Sequence, residues 1–172
     1  MKVAFAVLVV GATLAALGLG LLVMIGPEKV WDLFGPADLG PVSFETLERR
    51  STPNDALACP ARICKAESDF VPPLFALSAS ELRAAMAKVV ASEQRIVLIA
   101  SDDAGLTDRY VQRSKLMGFP DTIVIRYLDE GAGQSTLAMY SRSQLGRSDL
   151  GVNKSRLERW LTKLKTIAPV AR

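Results

Sequence analysis

The side chains best placed to do chemistry lie in a single run, Tyr140-Ser-Arg-Ser-Gln-Leu-Gly-Arg-Ser-Asp-Leu-Gly-Val-Asn-Lys-Ser-Arg-Leu-Glu-Arg-Trp160. It joins a strand-like segment to an amphipathic helix through a turn dense in Arg, Ser, Asp, Asn and Gly, more special residues than a change of direction requires. Gly146 and Gly151 permit backbone conformations closed to other residues, and Asp149 can accept backbone N–H bonds within the turn. Arg142, Arg147, Lys154 and Arg156 crowd the start of the helix, where exposed N–H groups and the helix dipole also favour anions. With Ser148, Asp149 and Asn153 they form a candidate site for a phosphate or a carboxylate. The competing reading is architectural: Asp149, Asp121 and Glu158 pair with these arginines and fix strand to helix.

The 172 residues contain no histidine. That excludes His-based acid–base catalysis, Ser-His-Asp and Cys-His nucleophile systems and the commonest zinc sites. Gly146-x-x-x-x-Gly151-x-x-Lys154-Ser155 superficially suggests a nucleotide-binding loop. It has two residues too many before the lysine, and the strand ahead of it belongs to an antiparallel hairpin. A Ser–Lys pair built from Ser143 or Ser155 with Lys154 is chemically open, but nothing in the sequence activates either hydroxyl. No catalytic residue, metal-ligand set or cofactor is assigned, and the balance is against an enzyme. The net charge of +3 is too small to argue for nucleic acid, and the basic residues lack interleaved aromatics.

Cys59 and Cys64 are the only cysteines, in Cys-Pro-Ala-Arg-Ile-Cys. Their spacing permits a small disulfide-closed loop, the natural state in an oxidising compartment; two unpaired thiols are the alternative. Four intervening residues rather than two argue against a redox pair, and the lack of His argues against zinc.

These residues have to be positioned by a scaffold that begins with an apolar run. Val3 to Ile25 carries no charged residue. A helix of ~23 residues at ~1.5 Å rise is long enough to cross a hydrocarbon core of ~30 Å. The expectation is a transmembrane anchor over 1–26, with a cleaved signal as the alternative. Positive-inside reasoning places the N-terminus in the cytoplasm and the rest outside the plasma membrane. Gly26-Pro-Glu-Lys-Val-Trp-Asp-Leu-Phe-Gly35 predicts a short helix, with Trp31 either at the headgroups or packed on the domain. Residues 27–58 then comprise this helix and a linker, which Phe44 and Leu47 can pin to the core.

The globular domain is expected over 59–168. Val71-Pro-Pro-Leu-Phe-Ala-Leu77 reads as an edge strand. Ser78-Ala-Ser-Glu81 is a capping box opening a helix to about Ser92. Arg95–Ala100, Arg109–Lys115, Thr122–Leu128 and Ser135–Arg142 read as strands, the last two joined by the clearest hairpin loop, Asp129–Gln134. Leu157, Trp160, Leu161 and Leu164 recur at helical spacing behind Asn153, a plausible N-cap. The resulting class is α+β: a single N-terminal transmembrane helix, then a small antiparallel sheet with helices packed on one face, in the order β-α-β-β-β-β-α.

The run 141–158 resembles the signature of a bacterial family, domain of unknown function 1499. Gly146, Ser148, Asp149, Gly151, Asn153, Arg156 and Glu158 match its pattern. Pro53-Asn54 and Phe119-x-Asp121 resemble two weaker upstream elements, with Asp55 where many members have Cys. The similarity covers roughly Pro53 to Leu164. It implies a small envelope-associated α/β domain and brings no reaction, ligand or catalytic residue. The functional expectation is a membrane-anchored, non-catalytic interaction or ligand-binding domain. Its partners would be the bilayer through residues 1–26 and either an envelope protein or a small anionic ligand. An enzyme acting on an anionic envelope substrate and an accessory subunit of a membrane complex are the alternatives.

Overall fold

The computed structural model describes residues 7, 9–14, 17–18, 20, 24 and 26–171. In chain order its elements are helix α1 (Pro27–Trp31) running into a 3-10 turn (Asp32–Phe34), strand β1 (Asp55–Ala58), helix α2 (Ala79–Ala91), strands β2 (Ile96–Asp102), β3 (Thr107–Arg113), β4 (Pro120–Gly131) and β5 (Gln134–Ser143), and helix α3 (Val152–Ile167). The five strands form one antiparallel sheet in the order β1-β5-β4-β3-β2.

The β4–β5 hairpin is the spine of this sheet. Its two-residue loop holds Ala132 at φ 51° and Gly133 at φ 72°, the doubly left-handed geometry that matches the twist of antiparallel strands. Successive residues of each strand point to opposite faces, and here both faces are covered. On one, Ile123, Ile125, Leu137 and Met139 meet Leu82, Met86 and Val89 of α2 and Leu157, Trp160 and Leu164 of α3. On the other, Val124, Leu128, Ala138 and Tyr140 meet Phe44, Leu57, Cys59 and Cys64. Two-sided burial is why Thr122–Leu128 reads as a continuous apolar run rather than an alternating one.

The helices form where capping and periodicity place them. Ser78 Oγ accepts from the Glu81 backbone N–H at 3.3 Å, while Ser78 N–H donates to Glu81 Oε2 at 2.9 Å, completing the capping box. The segment ahead of β1 is a strap rather than a free linker, with Phe44 fully buried against the sheet. Cys59 and Cys64 are bonded to each other under the strap.

Several expectations require correction. The strand expected at Val71–Leu77 is an extended passage bridging only at Phe75, to Ser135 and Val170. Pro72 and Pro73 have no N–H to give a ladder. The first strand is instead Asp55–Ala58, whose small apolar side chains fit beside β5. Helix α3 begins two residues early, capped by Gly151 at φ 79°, so Asn153 lies inside its first turn and is not the N-cap. Of the two readings of Trp31, packing on the domain is the one found: its Nε1 donates to Met117 O at 2.6 Å and its ring lies 4.5 Å from that of Phe119.

The largest correction concerns the N-terminus. Among the described residues no helix is long and apolar enough to cross a membrane. Residues 7, 9–14, 17–18, 20 and 24 are helical. The remaining positions of the run 3–25 lie outside the described residues. The transmembrane helix in the expected fold class, and the single-pass plasma-membrane placement with an external domain that rested on it, are therefore overturned.

If the strap is part of the core, Phe44→Ala removes a buried aromatic and leaves a cavity. The expected loss is ~3–5 kcal/mol, read as a lowered urea midpoint with an unchanged slope.

Candidate functional site

Asn153 and Arg156 stand three residues apart on α3, hence on one helical face, and that face looks inward. Their exposures are 0% and 4%. The Arg156 guanidinium reaches three strands at once. Its Nε donates to Gln112 Oε1 of β3 at 2.6 Å, its Nη2 to Asp121 Oδ2 of β4 at 2.5 Å, and its Nη1 to Ser141 Oγ of β5 at 2.8 Å and to Asn153 Oδ1 at 2.6 Å. Asn153 Nδ2 faces Asp149 Oδ2 at 2.7 Å, Ser143 Oγ at 2.9 Å and the Asn54 carbonyl at 3.3 Å.

The turn leading into α3 is built around the same groups. Leu150 and Gly151 both have positive φ, 54° and 79°, a conformation glycine adopts at little cost. Gly151 has no side chain to cap the helix, and Asp149 does so from two residues upstream. It accepts from Gly151 N–H at 3.0 Å and from Asn153 N–H at 2.8 Å, satisfying a donor that a helix start otherwise leaves open. Asn54 closes the other side: its Nδ2 donates to Gly146 O at 2.6 Å, and its carbonyl accepts from Ser143 N–H at 3.0 Å. Arg50 Nη1 donates to Ser143 O at 2.6 Å.

Of the seven candidate ligand-binding residues, the structure therefore brings together Asp149, Asn153 and Arg156 and disperses the rest. Arg142 lies under the strap, donating from Nη2 to Leu39 O at 2.7 Å and Gly40 O at 2.8 Å. Burial pulls its guanidinium below the usual arginine range. Arg147 and Ser148 are exposed, the Ser148 hydroxyl accepting from Leu150 N–H at 3.2 Å. Lys154 is exposed on the opposite side of α3 from Arg156 and borders a different cleft. Gln112, Ser141, Ser143 and Asn54 are members that sequence reasoning missed. For Gln112, Ser141 and Ser143 the only signal was a polar side chain in a strand; Asn54 lies just ahead of β1, in the Pro53-Asn54 element.

Two clefts flank the start of α3. The larger, about 910 Å³, lies between 47–53 and 65–69 and includes Lys154. Its charges balance: Arg49 pairs with Asp55 at 2.8 Å and Asp69 at 3.1 Å, and Tyr140 donates to Asp55 at 2.6 Å. The other, about 630 Å³, lies between the end of α2, the end of β3 and the start of α3, and is lined by Glu93, Gln112, Arg113, Lys115, Arg156 and Arg159. Here cations outnumber anions. Arg159 donates to Glu93 Oε2 at 2.9 Å and Lys163 to Glu93 Oε1 at 2.8 Å.

Three partly or fully buried carboxyls, Glu93, Asp55 and Asp108, are held below the ordinary carboxylate range. Burial raises the Glu93 carboxyl, but the hydrogen bonds from Arg159 and Lys163 outweigh it and hold it at about 2. Asp55 is likewise lowered, burial opposing and Arg49 and Tyr140 prevailing. Asp108 is lowered, with burial opposed by Arg83 and by Ser101, whose hydroxyl donates to it at 2.7 Å. Burial lifts the neighbouring Tyr110 hydroxyl to about 12.

An antiparallel sheet clasped between two helices and a strap, with one buried asparagine–arginine network tying three strands to the last helix, defines the class: a small α+β domain held by an internal polar knot. The chain belongs to the family described as Protein of unknown function (DUF1499), whose model matches residues 43–164. That span contains Phe44 of the strap, all five strands and the whole network. No curated protein and no solved structure matches the chain.

Asp121→Ala leaves the Arg156 charge buried without its partner, and the expected loss is ~3–5 kcal/mol by chemical denaturation. Exposed Arg147→Ala costs under ~0.5 kcal/mol. A second expectation concerns acid. Asp55, Asp108 and Glu93 have folded pKa values below their ordinary 3.8 and 4.5. Their stabilisation is therefore present above about pH 4.5 and is lost as pH falls through their folded values, about 2 for Glu93. Glu93→Gln should lower stability at neutral pH and flatten the acid limb of the stability profile. An acid limb identical to the wild type would contradict it.

Proposed function

We propose that this protein is a non-catalytic binding domain that takes a small anionic ligand, a carboxylate or a phosphate, in the cleft between the end of α2, the end of β3 and the start of α3. The observation that carries the reading is the charge imbalance of that cleft. Arg113, Lys115, Arg156 and Arg159 line it against Glu93; Asp121 behind Arg156 and Asp32 beside Arg113 also offset them, and the cations remain in excess. Arg156 supports it further as a fixed floor, since Asp121, Gln112, Ser141 and Asn153 hold the guanidinium in one place. A cation already immobilised loses little entropy when an anion arrives. The volume of about 630 Å³ suits a small molecule.

The carboxylates speak for binding rather than acid–base turnover. A general acid or base works best with a pKa near the operating pH, whereas Asp55, Asp108 and Glu93 are pushed away from it.

The test is calorimetric titration of the full chain with pyrophosphate and with citrate at low salt. One of them should bind, with affinity falling as ionic strength rises. Lys115→Ala and Arg159→Ala should each weaken it about tenfold, the scale of one charge-assisted hydrogen bond, while Lys154→Ala on the opposite cleft leaves it unchanged. Absence of binding by either anion, or equal affinity in all three variants, would refute the assignment.

A further inference from the structure

Two segments far apart in the chain build an apolar patch where β3 turns into β4. The turn 114–119 is tied to itself: Ser114 N–H donates to Phe119 O at 2.9 Å, Phe119 N–H to Ser114 Oγ at 3.0 Å and Gly118 N–H to Ser114 O at 3.1 Å. That leaves Leu116 at its tip, 89% exposed, beside the exposed Met117 and Phe119. Trp31 of α1 lies 4.5 Å from the Phe119 ring and 6.0 Å from that of Phe34. The 3-10 turn after it carries Leu33, 83% exposed, and Phe34, 65% exposed. A single exposed leucine is ordinary, but a contiguous group of this kind marks a contact site.

This patch adjoins the cationic cleft. Arg113 belongs to both: it lines the cleft, pairs with Asp32 at 3.2 Å and donates to the Gly118 carbonyl at 3.2 Å. Lys115 lines the cleft and is followed directly by Leu116 and Met117, while the Arg95 guanidinium holds the Lys115 carbonyl at 3.1 Å. Asp32, the acid inside this group, is matched by Arg113. Positive charge and apolar surface therefore lie side by side.

We propose that the anion taken by this cleft is the head of a single-chain amphiphile, its carboxylate or phosphate against Lys115 and Arg159 and its hydrocarbon chain along Leu116, Met117, Phe119 and Phe34. This rests on the anion-binding reading of the cleft. A wholly polar anion would leave the patch in water, and a neutral hydrocarbon would make no use of the cations; an amphiphile uses both. The patch is open rather than enclosed, so a chain laid on it keeps one side in water. Each added methylene then strengthens binding roughly twofold, short of the roughly fourfold that full burial gives.

The test is titration of the full chain with butyl, octyl and decyl phosphate, each below its micelle-forming concentration. Affinity should rise about 60-fold from the butyl to the decyl ester, the product of six such methylene steps. The double variant Phe34→Ser, Leu116→Ser, with an unchanged circular dichroism spectrum, should bind butyl phosphate as the wild type does and lose the dependence on chain length. Lys115→Ala should weaken all three esters by a common factor of about ten. Equal affinity for the three esters would overturn the amphiphile and leave the anion site standing, whereas binding of none would remove the anion site as well. Neutral octyl glucoside bound as tightly as octyl phosphate would also overturn it. So would a chain that sediments with anionic vesicles but shows no length dependence, which makes the patch a lipid-surface contact. A chain dimeric by light scattering and monomeric as Leu116→Ser, again without length dependence, would assign the patch to a second copy and overturn the proposal.

Discussion

A guanidinium cannot be buried cheaply, and most of this architecture follows from burying one. Arg156 is almost wholly removed from water, and an ion in that position costs several kcal/mol unless a counter-charge and further acceptors meet it. The acceptors come from β3, β4, β5 and α3 itself. No slipped register of these strands presents Gln112, Asp121 and Ser141 to the same point, because a one-residue slip turns side chains to the other face. The ion pair thus contributes less to net stability than to singling out one arrangement of sheet and helix. Asn153 extends the constraint to the turn through Asp149 and to the strap through the Asn54 carbonyl, so distant segments of the chain fold around one polar point inside an apolar layer.

The strap applies a second constraint, from the other face. Its apolar anchor is Phe44, but polar contacts set its path. Leu39 N–H donates to Thr122 Oγ1 at 2.9 Å, Arg109 pairs with Asp38 at 3.0 Å, and Arg142 holds the carbonyls of Leu39 and Gly40. The centre of the sheet is thus covered by helices on one side and by this segment on the other, while β2 leaves Val97, Leu98 and Ile99 exposed. What remains available is the rim: the two clefts beside the start of α3 and the outer edge of β2.

Sequence reasoning succeeded where a residue's environment is local. The capping box at Ser78, the tight hairpin after Asp129, the β-rich run of β4 and the i, i+3, i+4, i+7 face of α3 are all set by neighbours within a few positions, and all are found. It failed where the deciding partner is far along the chain. Asp55–Ala58 is too short and too small-chained to announce a strand, and becomes one only because β5 lies beside it. Asn153 looks like an N-cap until Asp149 takes that role and frees its amide for the interior. Gln112 and Ser141 look like surface residues of half-exposed strands until Arg156 is brought between them. The apolar run at the N-terminus satisfies a length rule for a membrane span, yet composition alone does not say how such a run is used.

The density of special residues between Tyr140 and Trp160 now has a physical explanation, and it redirects the search for function. Asp149, Asn153 and Arg156 are consumed by internal hydrogen bonds; an anion bound to them in place of Asp121 would have to displace a carboxylate already charge-matched and dry. The motif is therefore a scaffold, and the groups it leaves at the surface are the ones free to act. Arg156 does both: its far side is fixed by Asp121, while its near side floors a cleft rimmed by Arg113, Lys115 and Arg159. Its charge is already met by Asp121, so what it gives the cleft is a fixed wall, and the cations at the rim are the ones whose charge is directed outward.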